Sequence, residues 1–249
     1  MVQRVAALYD VHGNLPALEA ALAAAESESA DVMVFGGDMA LGPMPREVLD
    51  RIRGLGARAV CLRGNCDRLM VDAFDGTLSP TLRAAVRDPI RWAADQLTRE
   101  DRDLLAALPA TIAMAIDGLG DTLFCHATPR SDERIFTVRT PDERARSLFG
   151  QLAQGVVVCG HTHMQFRRRV DSMEIVNAGS VGMPYGEAGA HWLLLGPGLV
   201  HRRTAYDPDA AVRVIEESTF PGVRTFIERA VVNPPSDAEM LAAFEPPVP

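Results

Sequence analysis

Five times along this chain an apolar run stops at a residue type that can bind a metal ion. Val5-Ala6-Ala7-Leu8-Tyr9 stops at Asp10, with His12 two residues further on. Later runs stop at Asp38, Asn65, His126 and the pair His161 and His163. Short apolar runs closed by turn residues are the pattern of buried strands. In open α/β sheets the crevice beyond the carboxyl ends of the strands is where ligands bind. Side chains alternate along an extended chain, so Asp10 and His12 are expected on one side. An Asp oxygen and a His nitrogen suit Zn, Mn or Fe. Four of the six histidines fall at these places, which scattered core histidines would not do. The candidate ligands are Asp10, His12, Asp38, Asn65, His126, His161 and His163. They are too many for one tetrahedral zinc and suit two divalent transition metals, Mn, Fe or Zn. Asp38 is the natural bridge, one oxygen to each metal. Glycines beside these residues, such as Gly64 and Gly160, permit tight backbone there.

The 249 residues are ample for one large core. A net charge of −8 argues against a broad nucleic-acid grip or an anionic-membrane surface. No apolar stretch reaches spanning length and the N-terminus does not read as a signal peptide, so a cytoplasmic location is expected. Cys61, Cys66, Cys125 and Cys159 form no CxxC pair and are expected as reduced thiols, buried except for Cys66.

The expected elements begin as strand–helix alternation. Helix Leu15 to Glu26 has Leu15, Leu18, Leu22 and Ala25 on one stripe; strand Asp31 to Gly36 follows. Pro45 opens a helix that buries Val48, Leu49, Ile52 and Leu55, and Arg58 to Leu62 is the third strand. This predicts an α/β fold with parallel strands. Leu69 to Pro109 then reads as a helical insertion. Strands resume at Thr111–Ile116, Thr122–Cys125 and Gly155–Cys159. Thr140-Pro141-Asp142-Glu143 carries an N-cap, a first-turn proline and a capping-box Glu. Runs at Phe166–Val170, Glu174–Val176, Trp192–Leu195 and Leu199–Thr204 predict an antiparallel meander. Asp207-Pro208 caps a helix to about Glu217, and a second helix runs to about Val231. Asn233 to Pro249, rich in proline, is expected to be loosely ordered. Residues 1–206 make the main domain, and 207–249 extend it.

The ordered series Asp10-x-His12, Gly37-Asp38, Gly64-Asn65-x-Asp67, His126 and Gly160-His161-Thr162-His163 resembles the calcineurin-like metallophosphoesterase superfamily. The likeness spans roughly residues 2 to 205 and is closest to its small bacterial phosphodiesterase branch, which also contains the retromer-subunit scaffold. It implies a sandwich of two β-sheets flanked by helices, with a two-metal site at its edge. One metal would take Asp10, His12, Asp38 and His163, the other Asp38, Asn65, His126 and His161. The implied activity is hydrolysis of a small phosphate ester, most readily a diester, by in-line attack of a hydroxide held between the metals. The implied alternatives are a phosphomonoesterase or protein phosphatase, a dinucleotide-polyphosphate hydrolase, and a non-catalytic metal-binding scaffold. A homo-oligomer is compatible with it.

One position departs from much of the superfamily. Cys66 stands where many members carry a His that protonates the leaving oxygen, although the bacterial branch also has Cys there. A thiol is a poor general acid beside an imidazolium at neutral pH, which disfavours alkoxide-like leaving groups. Asp67 would orient the site or relay a proton, so Asn65, Cys66 and Asp67 are the candidate catalytic stretch. Arg130, four residues after His126, is a candidate phosphate contact. Arg167-Arg168-Arg169 reads as a solvated hairpin face, His191 and His201 as non-ligands, and Trp92 as core of the insertion. Asn177 and Ser180 are expected to support the His161/His163 loop.

Overall fold

The computed structural model describes residues 1–245. Two five-stranded sheets lie face to face, with helices on both outer faces. β1 (Val5–Leu8) is the middle strand of the first sheet and is fully buried. Its alternation sorts the layers. Val5, Ala7 and Tyr9 point between the sheets, while Ala6 and Leu8 point at the helical layer. β1 pairs in parallel with β2 (Val32–Phe35), and β2 with β3 (Ala59–Cys61). α1 (Leu15–Ser27) and α2 (Pro45–Arg53) cover the outer face. α1 buries Ala17, Leu18, Ala21, Leu22 and Ala25, a face of mostly small residues. The insertion is helical as expected: α3 (Asn65–Phe74), α4 (Ala84–Asp95) and α5 (Arg99–Ala107).

The second half is not the meander its spacing predicts. β4 (Thr111–Ile116) and β5 (Gly120–Cys125) form a hairpin; α6 (Asp142–Phe149) then leads to β6 (Val156–Cys159), parallel to β5. β7 (Gln165–Val170) and β8 (Met173–Ala178) pair antiparallel, yet β8 lies parallel to β6. β9 (Ala190–Leu195) leaves this sheet and pairs antiparallel with β1, and β10 (Leu199–Thr204) completes the first sheet. The chain therefore crosses between sheets after β8. All six β9 residues are buried, because β9 is covered on both faces.

Two helix ends differ from expectation. Thr140 does not cap α6: its hydroxyl donates to Glu245 and accepts from the Thr137 amide, and Pro141 takes the cap position. Asn233 to Pro249 is not loosely ordered over its described part. Ser236 and Glu239 form a capping box, and α9 (Asp237–Phe244) packs Leu241 against the outer face of the second sheet. Residues 246–249 lie outside the described residues. α7 (Pro208–Ile215), α8 (Val223–Phe226) and a π-turn over Ile227–Val232 form a further apolar cluster with Met44, Met183 and Phe220. Arg167 pairs with Glu174 on an exposed hairpin face as expected, whereas Arg168 is largely covered, pairing with Asp142 and donating to the carbonyls of Thr137, Val138 and Thr140. None of the helices of the described residues is long and apolar enough to cross a membrane.

Candidate metal centre

Because β1, β2, β3, β5 and β6 end at one edge, the loops behind them bring all seven sequence-predicted ligands together there. Asp10 and His12 do not converge by strand alternation, since β1 stops at Leu8. Both lie in left-handed backbone, at φ 53° and 47°, as do Asp38 (53°), His161 (66°) and His163 (58°). Non-glycine residues adopt this region rarely, and such outliers gather at functional sites.

Hydrogen bonds fix which atoms face inward. His12, His126 and His163 place Nδ1 at 3.2, 2.8 and 2.8 Å from the carbonyl oxygens of Leu41, Gly36 and Met183. A carbonyl only accepts, so each Nδ1 is the N–H, and each ring in its neutral form turns an Nε2 lone pair inward. His12 Nε2 and His163 Nε2 then stand 3.2 Å apart. Asp10 Oδ1 lies 3.3 Å from His163 Nε2, 3.8 Å from His12 Nε2 and 3.9 Å from His126 Nε2, yet it is buried without a hydrogen-bond partner. Asp38 Oδ2 is 3.4 Å from His126 Nε2 and 3.8 Å from His12 Nε2. Asn65 Oδ1 faces His126 Nε2 at 3.1 Å. With neutral rings these atoms are acceptors facing acceptors in a dry cavity, which repel unless protons on Nε2 or a metal cation lie among them. The donor set fits divalent metal binding and falls into three overlapping groups, Asp10–His12–His163, His12–Asp38–Cys66 and Asp38–His126–His161. The two oxygens of Asp38 have different surroundings. Oδ1 accepts the Cys66 amide at 2.8 Å, and Oδ2 faces the His126 and His12 rings.

The metal-free charges follow from this crowding. Burial works to raise Asp38 and Asp10. The imidazoles around them prevail, holding Asp38 well below the usual carboxylate range, led by His126, and lowering Asp10, led by His163. Burial works to lower His126, but Asp38 and Asp10 lift it to about 10. His161 is pushed down to about 4 by burial and by His126. His12 falls through burial and His163, and His163 rises because Asp10 outweighs its burial.

The supporting shell is partly as expected. Asn177 Nδ2 donates to Gly160 O (2.7 Å) and Thr162 Oγ1 (3.0 Å), bracing the His161/His163 loop. Ser180 braces Asp10 instead, donating from Oγ to its carbonyl at 2.7 Å. Asp67 is fully buried and turned away from the cage. Its carboxylate accepts the amides of Asp38 (2.8 Å), Met39 (3.1 Å) and Gly64 (2.9 Å). Burial and Asp38 raise Asp67 to about 7. Gly64 and Gly160 matter by close approach: an added Cβ would lie 2.1 Å from Asp38 Oδ1 and 2.5 Å from Asp10 Oδ2 respectively. Cys66 is half-buried beside His12 and Asp38, and burial, then Asp38, push its thiol well up.

Arg130 is exposed and lines a cavity of about 190 Å³ with His126, Arg63, Arg68 and Asp132. It makes no ion pair among the described residues. His201 hydrogen-bonds the Asn177 carbonyl, and His191 is buried on β9; neither touches the cage. Tyr185, which carried no motif signal, stacks on His163 with centroids 5.3 Å apart and planes at 26°.

A two-sheet sandwich with an Asp–His–Asn cage at its strand ends defines a class of metal-dependent hydrolase. The calcineurin-like phosphoesterase superfamily domain matches residues 4–196. The chain belongs to that superfamily and is a phosphoric ester hydrolase. A metallophosphoesterase from Sphaerobacter thermophilus is 25% identical, with 92% of this chain and 98% of that one covered at a TM-score of 0.72. A hypothetical protein from Pyrococcus horikoshii OT3 is 19% identical, with 91% and 96% covered at 0.78. The phosphoesterase YfcE from E. coli is 18% identical, with 81% and 100% covered at 0.51. No curated protein sequence matches.

Proposed function

We propose that the protein is a phosphodiesterase working with two divalent transition metals, Mn favoured. The reading rests most on the 3.2 Å approach of His12 Nε2 to His163 Nε2, with the partnerless Asp10 Oδ1 beside them. Asp10, His12, Asp38 and His163 would hold one cation, and Asp38, Asn65, His126 and His161 the other. When bound, the pair would supply the Lewis acidity that activates a water and neutralises charge on the phosphoryl group. The chain's own part is orientation. Backbone carbonyls of Leu41, Gly36 and Met183 fix three rings, the Cys66 amide fixes Asp38, and Asp67 fixes the loop that carries Asp38.

Cys66 gives little protonation to a leaving oxygen, so activated diesters are favoured over alkyl monoesters. Arg130 would reach an outer phosphate oxygen from the His126 side. Protein purified without chelator should carry about two transition metals per chain. It should hydrolyse aryl phosphodiesters in a metal-dependent way. Asp38→Asn should lower metal content and turnover more than His12→Ala. Metal-free protein that stays inert after Mn is restored would refute the proposal, and Asp38→Asn at wild-type turnover would refute the bridge.

A further inference from the structure

The two sides of the cage differ in chemistry. Beyond His126 lies the small cavity with Arg63, Arg68 and Arg130. Beyond His12 lies an open cleft of about 640 Å³, walled chiefly by Leu41, Pro89, Met183, Phe220, Pro221 and Phe226. The volume is that of a ligand pocket, far more than a phosphate needs. Its walls come from α4 of the insertion and from the segment around α8, while His12 and Leu41 join it to the cage. The Phe220 ring is fixed from two sides: Trp92 meets it at 5.4 Å and 75°, Phe226 at 6.2 Å and 82°. It still faces the cleft. Trp92 is itself anchored through Nε1 to Thr219. At the rim, Asp88 is paired with Arg87, whereas Arg229 has no ion pair among the described residues.

Resting on the phosphoesterase reading above, we infer that one arm of the substrate is a flat aromatic group seated in this cleft, and that Phe220 selects it. A rigid aromatic wall offers a ring edge-to-face and stacked contacts that a saturated chain cannot match. A guanidinium at the rim adds attraction for a π face. The arginine-lined cavity on the other side leaves the His12 side as the place for an uncharged arm. The first turn of α4 presents Ala84 and Ala85, which keep the mouth open.

The test is equilibrium binding of three phosphonates to the metal-loaded protein by calorimetry: benzylphosphonate, cyclohexylmethylphosphonate and ethylphosphonate. Each shares the phosphonate head, so only the arm differs. Benzylphosphonate should bind at least about tenfold tighter than ethylphosphonate, and tighter than the cyclohexylmethyl compound. Phe220→Ala should collapse the benzyl-to-ethyl ratio by removing the wall. Ala85→Trp, at an exposed helix position, should collapse it by filling the mouth without removing any packing. A wild-type ratio near one overturns the inference, as does a ratio that survives both variants. Cyclohexylmethylphosphonate binding as tightly as benzyl would overturn the aromatic assignment. Absence of metal-dependent hydrolysis, by contrast, would refute the underlying phosphoesterase reading.

Discussion

Asp67 supports a sharp stability prediction. Its buried carboxylate is the acceptor for three amides, those of Asp38, Met39 and Gly64. Asp67→Ala strands all three. An unsatisfied buried donor costs about 1–3 kcal/mol, and water entering the vacated space argues for the low end, about 3 kcal/mol in all. For a chain of this length that is a fall in Tm of about 6–12 °C. Arg167→Ala, which breaks only an exposed pair with Glu174, should cost under about 1 kcal/mol and serves as the control. The deficit should also depend on pH. In the metal-free fold the Asp67 carboxyl is raised to about 7, above its unfolded value. A raised folded pKa gives a contribution present below the unfolded pKa and lost as pH rises through about 7. Asp67→Ala should therefore be worse relative to wild type at pH 5.5 than at pH 8, by differential scanning calorimetry of metal-free protein. A Tm within 1 °C of wild type at both pH values would refute the anchoring role. Lost turnover with unchanged Tm and metal content would instead assign Asp67 to proton transfer.

Gly64→Ala should displace the Asp38 carboxylate, because the added Cβ falls 2.1 Å from its Oδ1; metal content by elemental analysis should drop well below wild type, and full loading would refute the packing argument. His126, raised to about 10 in the metal-free fold, carries a proton at neutral pH that a cation must expel. Apparent metal affinity should thus rise with pH between about 7 and 10, and titration in buffers of different ionisation enthalpy should show proton release. No buffer dependence at pH 7 would show His126 neutral before loading.

The cage was legible because each ligand type stands where an apolar run ends, and strand ends are local features. Its convergence was legible only in outcome: alternation was the wrong cause for Asp10 and His12, since Asp and His are merely enriched at positive φ and most of them do not adopt it. Sheet membership was not legible. β8 and β9 both read as short strands, and which sheet β9 joins depends on β1, at the far end of the chain. The spacing of Ser236 and Glu239 matches the capping box that starts α9, a local signal that a reading from proline content alone passes over. Thr140 failed as a cap through a competitor, Glu245, that no local pattern reveals.

The left-handed turns of Asp10, His12, Asp38, His161 and His163 make the site a reservoir of conformational tension. At about 1 kcal/mol or more each, they amount to about 5 kcal/mol, comparable to the whole margin by which many domains stay folded. The fold holds these turns against relaxation, and coordination would reward the shape that the backbone resists. Glycine at such a position would ease the backbone while deleting a ligand. Drift towards robustness and drift towards an empty cage therefore run in the same direction, and continued selection for metal chemistry would be what opposes both.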